Sequence, residues 1–306
     1  MPLTYRPSAP LQWSWLSMQG PDASDFLHRL TTVNVKGMKP GDGAPGFFLS
    51  PQGKIRGFFT LWMLAVADFT LEFDAGQGGK WKTELLAVID QFHFGEKFTL
   101  TEVTDLQCTW IFDQAPSEVK NGVKKTSIDS SGARIFNHGS ADFGRPWTSA
   151  WGTSEQLTKL LGADSSGNTP YTQLEQWRIH SARPALGHEL SENSNPLEVG
   201  LHEAIAGNKG CYPGQEVIEK IISLGSPARR LVKIVGQGSA PAVGELIQTA
   251  DAAHAEVGQV TSVAQTGQGF ELLTLVRKNH AKEGLEVTFS ANPETRAKLV
   301  QIAPYN

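Results

Sequence analysis

The sequence predicts an α+β body over residues 1–227 followed by a small antiparallel β-barrel over residues 228–306. Three observations predict it. Amphipathic helical stripes and hairpin signals alternate through the first part. After Arg230 the chain becomes a series of short strand-like runs with Gly-rich or polar turns between them, the spacing of a small barrel. Ser226-Pro227 punctuates the change, and 306 residues suit two domains, or one large domain and a small one.

In chain order, residues 13–18 read as a strand of large residues, and Gly20-Pro21-Asp22 as a turn whose Asp22 is placed to cap a helix. That helix shows Ala23, Phe26, Leu27 and Leu30 at the spacing of one face. Residues 47–49 and 55–60 are two strands joined by Pro51-Gln52-Gly53, and strand continues to Phe73 with a break near Ala67-Asp68. Trp81, Leu85, Val88, Ile89 and Phe92 form the buried stripe of a helix over 80–92. Residues 98–103 and 108–112 are strands, and 117–132 is a polar hairpin or mobile loop. A short helix over 154–161 closes at Gly162, residues 163–169 form a linker, and a helix over 171–181 stops before Pro184. Strands then follow over 231–235, 245–249, 256–264, 270–277, 285–289 and 298–302.

Bulk properties exclude several functions. A formal net charge of −4 argues against a broad nucleic-acid or anionic-membrane surface. The most apolar stretch, 60–73, is interrupted by Asp68 and Glu72 and is too short for a membrane span. Residues 1–10 carry three prolines and no apolar segment of the secretory kind. Two cysteines, Cys108 and Cys211, cannot build a disulfide framework, so a reducing, cytoplasmic setting is expected. The histidines show no metal-ligand spacing, so no stably bound metal is expected. Gly76-Gln77-Gly78-Gly79-Lys80 lacks the spacing of a phosphate loop and reads as a turn before a helix.

The sharpest motif is Lys209-Gly210-Cys211-Tyr212-Pro213-Gly214-Gln215-Glu216. Two glycines and a proline around one cysteine demand a tight turn, which is able to expose the thiol. Lys209 lies two residues away and is placed to steady a thiolate, against Glu216. Cys108 sits in an apolar strand and reads as buried and inert.

This run resembles the K-G-C-[FY]-x-G-Q-E signature of the YgfZ family, relatives of the glycine-cleavage T-protein. Other blocks resemble the family in order: residues 19–32, Leu49-Ser50-Pro51-Gln52-Gly53-Lys54-Ile55, 178–189, 196–201 and Gly258-Gln259-Val260-Thr261-Ser262. The resemblance implies a T-protein-like folate-binding α+β body followed by a β-barrel. It implies tetrahydrofolate as a weakly bound cofactor, with a role in assembling or repairing iron–sulfur clusters, including those of tRNA-modifying enzymes. Partners would be iron–sulfur enzymes or cluster carriers, with no direct nucleic-acid or membrane contact. Cys211 and Lys209 would carry the chemistry. Trp13, His180, Gly210, Tyr212, Gly214, Gln215 and Glu216 would contact the cofactor, with Trp13 stacking on the pterin.

The sequence departs from the T-proteins at two points. Where they carry a carboxylate just after the hairpin, this chain has Arg56, Gly57 and Phe58. None accepts a proton at neutral pH, so aminomethyl transfer is not expected, although a folate-dependent one-carbon enzyme and a non-catalytic scaffold are the alternatives. Where the family has R-[LI]-E-A-G, this chain has Arg178-Ile179-His180-Ser181-Ala182. A neutral imidazole accepts one hydrogen bond where a carboxylate accepts two, so His180→Glu is expected to tighten folate binding.

Overall fold

The computed structural model describes residues 2–8, 11–114, 124–140, 142–162, 167–251 and 254–303. The chain divides into two compact units: Met1–Tyr171 with Glu203–Gln215, and Thr172–His202 with Glu216–Asn306. The second unit therefore holds more than the barrel strands that the sequence marks out after residue 227.

The first unit contains a ten-stranded antiparallel sheet. In chain order its elements are β1 (Leu3–Tyr5), β2 (Trp13–Gln19), α1 (Ala23–Leu30), β3 (Asp42–Leu49), β4 (Ile55–Ala65), β5 (Asp68–Asp74), α2 (Lys80–Phe92), β6 (Thr99–Glu102), β7 (Gln107–Phe112), β8 (Lys124–Ile128), β9 (Arg134–Gly139), β10 (Trp147–Gly152) and α3 (Ser154–Leu161). The strand order is β1-β7-β10-β9-β8-β3-β4-β5-β2-β6. Alternation sorts the side chains of the central strands onto two faces. Leu16, Met18, Leu61, Leu71 and Phe73 face α1 and α2, whose Phe26, Leu27, Leu85, Val88 and Ile89 close that core. Trp13, Trp15, Trp62 and Glu72 face the other way. The sheet is curled, because Glu72 on β5 bonds Trp151 on β10 although four strands lie between them in the order.

Local chemistry explains most boundaries. Helix α3 has a full capping box between Thr153 and Gln156 and ends at Gly162. Asp22 holds the N-cap position of α1, but its side chain makes no cap bond; it accepts the Lys97 N–H at 2.7 Å and so ties the helix entrance to the segment that leads into β6. The glycines before α2 form a turn, as the sequence indicates, with Gly79 left-handed at the N-cap. The polar stretch expected as a hairpin or mobile loop over 117–132 contains β8, which pairs antiparallel with β9 as a hairpin; its residues 117–123, and 163–166 of the expected linker, lie outside the described residues. Strands β1, β9 and β10 go beyond the sequence reading.

The second unit begins within α4 (Tyr171–His180), continues through α5 (Gln215–Ser223), and contains β11 (Arg229–Gly236), β12 (Leu246–Thr249), β13 (Glu256–Gln259), β14 (Ser262–Thr266), β15 (Gly269–Arg277), β16 (Glu286–Phe289) and β17 (Ala297–Ile302). These seven strands run in the order β13-β12-β16-β17-β11-β15-β14. The run expected as one strand over 256–264 breaks into β13 and β14, which lets the sheet curl. One end strand, β13, comes round to β15, the neighbour of the other end strand, where Thr274 Oγ1 donates to the Gln259 carbonyl at 2.7 Å. Ile179 of α4 is fully buried with Leu231, Leu273 and Ala303, which is why this helix joins the barrel unit.

Candidate functional site

The motif loop is built on the C-terminal end of α1. The last carbonyls of a helix have no partner within it, and a cation there satisfies them. Lys209 does this: its Nζ donates to the His28 carbonyl at 2.6 Å and to the Thr31 carbonyl. It also sits 4.9 Å from the centre of the Tyr212 ring. Burial pulls the Lys209 pKa down to about 8, while the two carbonyls favour the ammonium. Lys209 therefore anchors the loop by its head group, where the sequence suggested a partner for the thiolate.

The other end of the loop is held by shape. Gly214 is buried with φ +82°, and a Cβ there would stand 2.5 Å from the Ser50 carbonyl and 3.0 Å from the Gly53 Cα. The loop thus presses backbone to backbone on the β3–β4 turn, which only glycine permits. Tyr212 is buried and its carbonyl accepts the Gln215 N–H at 3.2 Å as α5 begins. Between these anchors Gly210 and Cys211 are exposed, and Glu216 is exposed in the first turn of α5. Cys108 is buried on β7, where burial pushes its thiol pKa well up and the Glu72 charge adds to the effect. One thiol is presented and the other withheld. Among the described residues no group of His, Cys, Asp and Glu is placed to hold a metal.

The three residues that stand in place of the T-protein carboxylate have structural contacts. Arg56 bonds Glu84 at 2.6 Å and Gln91 at 2.8 Å on α2. Phe58 packs on Phe47 with ring centres 4.8 Å apart. Gly57 faces Phe48 and Leu85.

Trp13 belongs to a cluster that sequence reasoning missed. Glu72, fully buried, accepts from the indole N–H groups of Trp13 at 2.7 Å, Trp62 at 2.9 Å and Trp151 at 2.8 Å, and from the Ser149 hydroxyl. His138 Nε2 lies 3.2 Å from its other oxygen, and the His138 ring stacks on Trp147 at 3.8 Å. Lys124 Nζ lies 3.4 Å from His138 Nδ1, which assigns the ring proton to Nε2, toward Glu72. Burial alone would raise the Glu72 pKa; the His138 charge and hydrogen bond and the bonds from Ser149 and Trp151 outweigh it and hold the pKa at about 2. Burial lowers the His138 pKa against the pull of Glu72, so near neutral pH the carboxylate carries the charge and the ring is neutral; the ring becomes charged only in acid, where it opposes protonation of Glu72. Trp13 also packs edge-on against Trp110 at 4.9 Å, so its ring is committed to this interior. The signal was present: a Glu inside the most apolar stretch, in a chain with eight tryptophans.

His180 lies in the second unit. Its side chain is 73% exposed, and its Nδ1 is 3.1 Å from Glu271 on β15. The pair borders an open groove of about 520 Å³ lined by Gln176, Trp177, Gln265 and Gly267. A carboxylate, Glu271, thus already stands beside position 180. A second carboxylate at 180 would repel it, which counts against the expectation that His180→Glu tightens folate binding.

No protein-family model matches the chain. In sequence it is 26% identical to a chloroplastic protein of Arabidopsis thaliana named as a transferase, over 95% of this chain and 68% of that one. It is 31% identical to an aminomethyltransferase of Acidobacterium capsulatum, over 71% of this chain and 62% of the relative. Among solved structures it resembles the glycine cleavage system aminomethyltransferase T of Bartonella henselae. The TM-score there is 0.78 at 18% identity, covering 96% of this chain and 84% of that chain. The chain is therefore aminomethyltransferase-like: it shares that α+β fold of two curled antiparallel sheets and is similar to those enzymes in sequence.

Proposed function

We propose that this chain is a folate-linked accessory protein for iron–sulfur cluster assembly or repair, that its working group is the Cys211 thiol, and that it does not transfer aminomethyl groups. The observation that carries the proposal is the motif loop. A single exposed thiol is fixed between two anchors, Lys209 on α1 and Gly214 on the β3–β4 turn. A thiol so placed suits transient exchange of sulfur or of a cluster with a partner, since one thiolate is too few to hold a cluster unaided. Against transfer stand Arg56, Gly57 and Phe58, each engaged in packing or an ion pair and none able to act as the base.

In cells lacking the counterpart of this chain, the wild-type protein is expected to restore the activity of iron–sulfur enzymes. Full expression without restored activity would overturn the reading, as would tetrahydrofolate-dependent release of ammonia from an aminomethyl donor.

Tetrahydrofolate is assigned to the His180–Glu271 groove. The pterin ring carries adjacent N–H donors, which a carboxylate such as Glu271 accepts as a pair. Glu271→Gln is expected to weaken tetrahydrofolate binding about tenfold, the size of one charge-assisted hydrogen bond. Calorimetry on both proteins reads this directly, and equal affinity would remove the groove from the account.

A further inference from the structure

We propose that Arg178 is a positioning residue for the His180–Glu271 groove, which the reading above gives to tetrahydrofolate. It sets how α4 turns on the barrel strands, and so where Trp177 and His180 stand relative to Glu271. Arg178, Glu189 and Ser262 fall in the stretches 178–189 and 258–262, and none of the three lines the groove.

Helix α4 has little apolar surface to orient it. It buries Leu174, Arg178 and Ile179, and Ile179 packs with Leu231, Leu273 and Ala303. Apolar contact is non-directional, so it fixes the depth of the helix more than its rotation. The directional contacts come from Arg178, which is 5% exposed. Its Nε and Nη2 donate to the two oxygens of Glu175 at 2.8 and 2.6 Å, one turn earlier on α4. Nη1 donates to the Arg183 carbonyl at 2.8 Å and to Glu189 at 3.3 Å, and Nη2 donates also to the Ser262 hydroxyl at 2.9 Å on β14. These five bonds are as many as a guanidinium has N–H groups.

The network reaches both walls of the groove. Glu189, fully buried, accepts from the Ser262 hydroxyl at 2.6 Å and from the Ala185 N–H at 3.1 Å, so the strand and the turn after α4 share one acceptor. Ser262 lies two residues before Ala264, which lines the groove and stands opposite Glu271 in the β14–β15 pairing. On the helix side Trp177 and His180 flank Arg178 in sequence, and His180 Nδ1 lies 3.1 Å from both Glu271 oxygens. Lys233 on β11 holds the His180 carbonyl at 2.7 Å, which fixes the end of the helix and leaves its rotation to Arg178. A lysine at 178 would keep the charge but has no planar fork, so it cannot join Glu175, Glu189 and Ser262 in one plane.

The test has two readouts on the full chain: the NMR signals of the His180 ring, identified by their absence from His180→Gln, and tetrahydrofolate affinity by calorimetry. Arg178→Lys is expected to move the His180 signals toward those of Glu271→Gln, in which the ring has lost its carboxylate. It is also expected to weaken tetrahydrofolate binding about tenfold, and to cost little more when Glu271→Gln is already present, because both act on one contact. Ser262→Ala, a milder change, is expected to move both readouts in the same direction and carries the test should the Lys variant not fold. Arg229→Lys is the control for general loosening, since Arg229 clamps Glu198 at 3.1 and 2.9 Å in the same unit. It is expected to leave the His180 signals in place. Unmoved His180 signals in the folded variants would overturn the proposal, and so would an equal shift in Arg229→Lys. Moved signals with tetrahydrofolate affinity unchanged, in Glu271→Gln as well, would keep the role of Arg178 and remove the folate assignment.

Discussion

Glu72→Gln is expected to destabilise the protein by about 3–5 kcal/mol, the usual effect of removing one partner from a buried charged network. Trp13, Trp62, Trp151, Ser149 and His138 converge on its two oxygens. A glutamine keeps one oxygen and points an NH₂ group at donors, so several buried N–H groups lose their acceptor at once. The pH dependence follows from the same site. The folded state holds Glu72 at about 2, against an ordinary 4.5, so its contribution is complete above pH 4.5 and is lost as pH falls toward 2. The lowered His138 pKa acts in the same sense from its ordinary 6.5 downward, because the unfolded chain takes up that proton first. Urea unfolding of the wild type should therefore weaken with acid below about pH 6.5, and the Gln variant should lack the part that falls between 4.5 and 2. A variant as stable as wild type at pH 7 would show that the five donors do not depend on the charge.

Gly214→Ala is expected to cost at least about 2 kcal/mol, combining left-handed backbone strain with a clash against main chain that has no side chain to move aside. The φ of +82° and the 2.5 Å approach to the Ser50 carbonyl place both effects at one atom. Gly210→Ala is the internal control, since its Cβ meets nothing closer than 3.7 Å. Thermal unfolding should separate the two variants clearly. Equal melting temperatures would mean that the motif glycines are not there to seat the loop.

These two glycines show how far the motif could be read as a sequence. Letters alone demand a tight turn around Cys211, and the turn is there. They do not say that Gly214 is packed against the distant Ser50–Gly53 turn, because that contact joins residues more than 160 positions apart. The helix over 80–92 was legible to the residue, since its apolar stripe repeats at helical spacing and buries against one sheet face. Strand β10 was not legible: all six of its residues are buried, including Thr148 and Ser149, so alternation between apolar and polar residues is lost. Ser149 is buried because it bonds Glu72, and Glu72 looked only like an interruption of an apolar run. Polar groups that satisfy one another across strands leave no periodic trace, and so the Glu72 cluster became visible only in three dimensions. Lys209 is the same lesson at the site, for its sequence neighbour is the thiol but its hydrogen-bond partners are the carbonyls of α1.

Cys211, the exposed thiol, is expected to do the work that Cys108, the buried one, does not. The most direct measurement is the activity of iron–sulfur enzymes in cells that lack the counterpart of this chain and express, at equal levels, the wild type, Cys211→Ser or Cys108→Ser. Wild type and Cys108→Ser are expected to restore activity, and Cys211→Ser to leave it near that of the empty strain. Full restoration by Cys211→Ser would contradict the account and leave the chain a folate-linked scaffold.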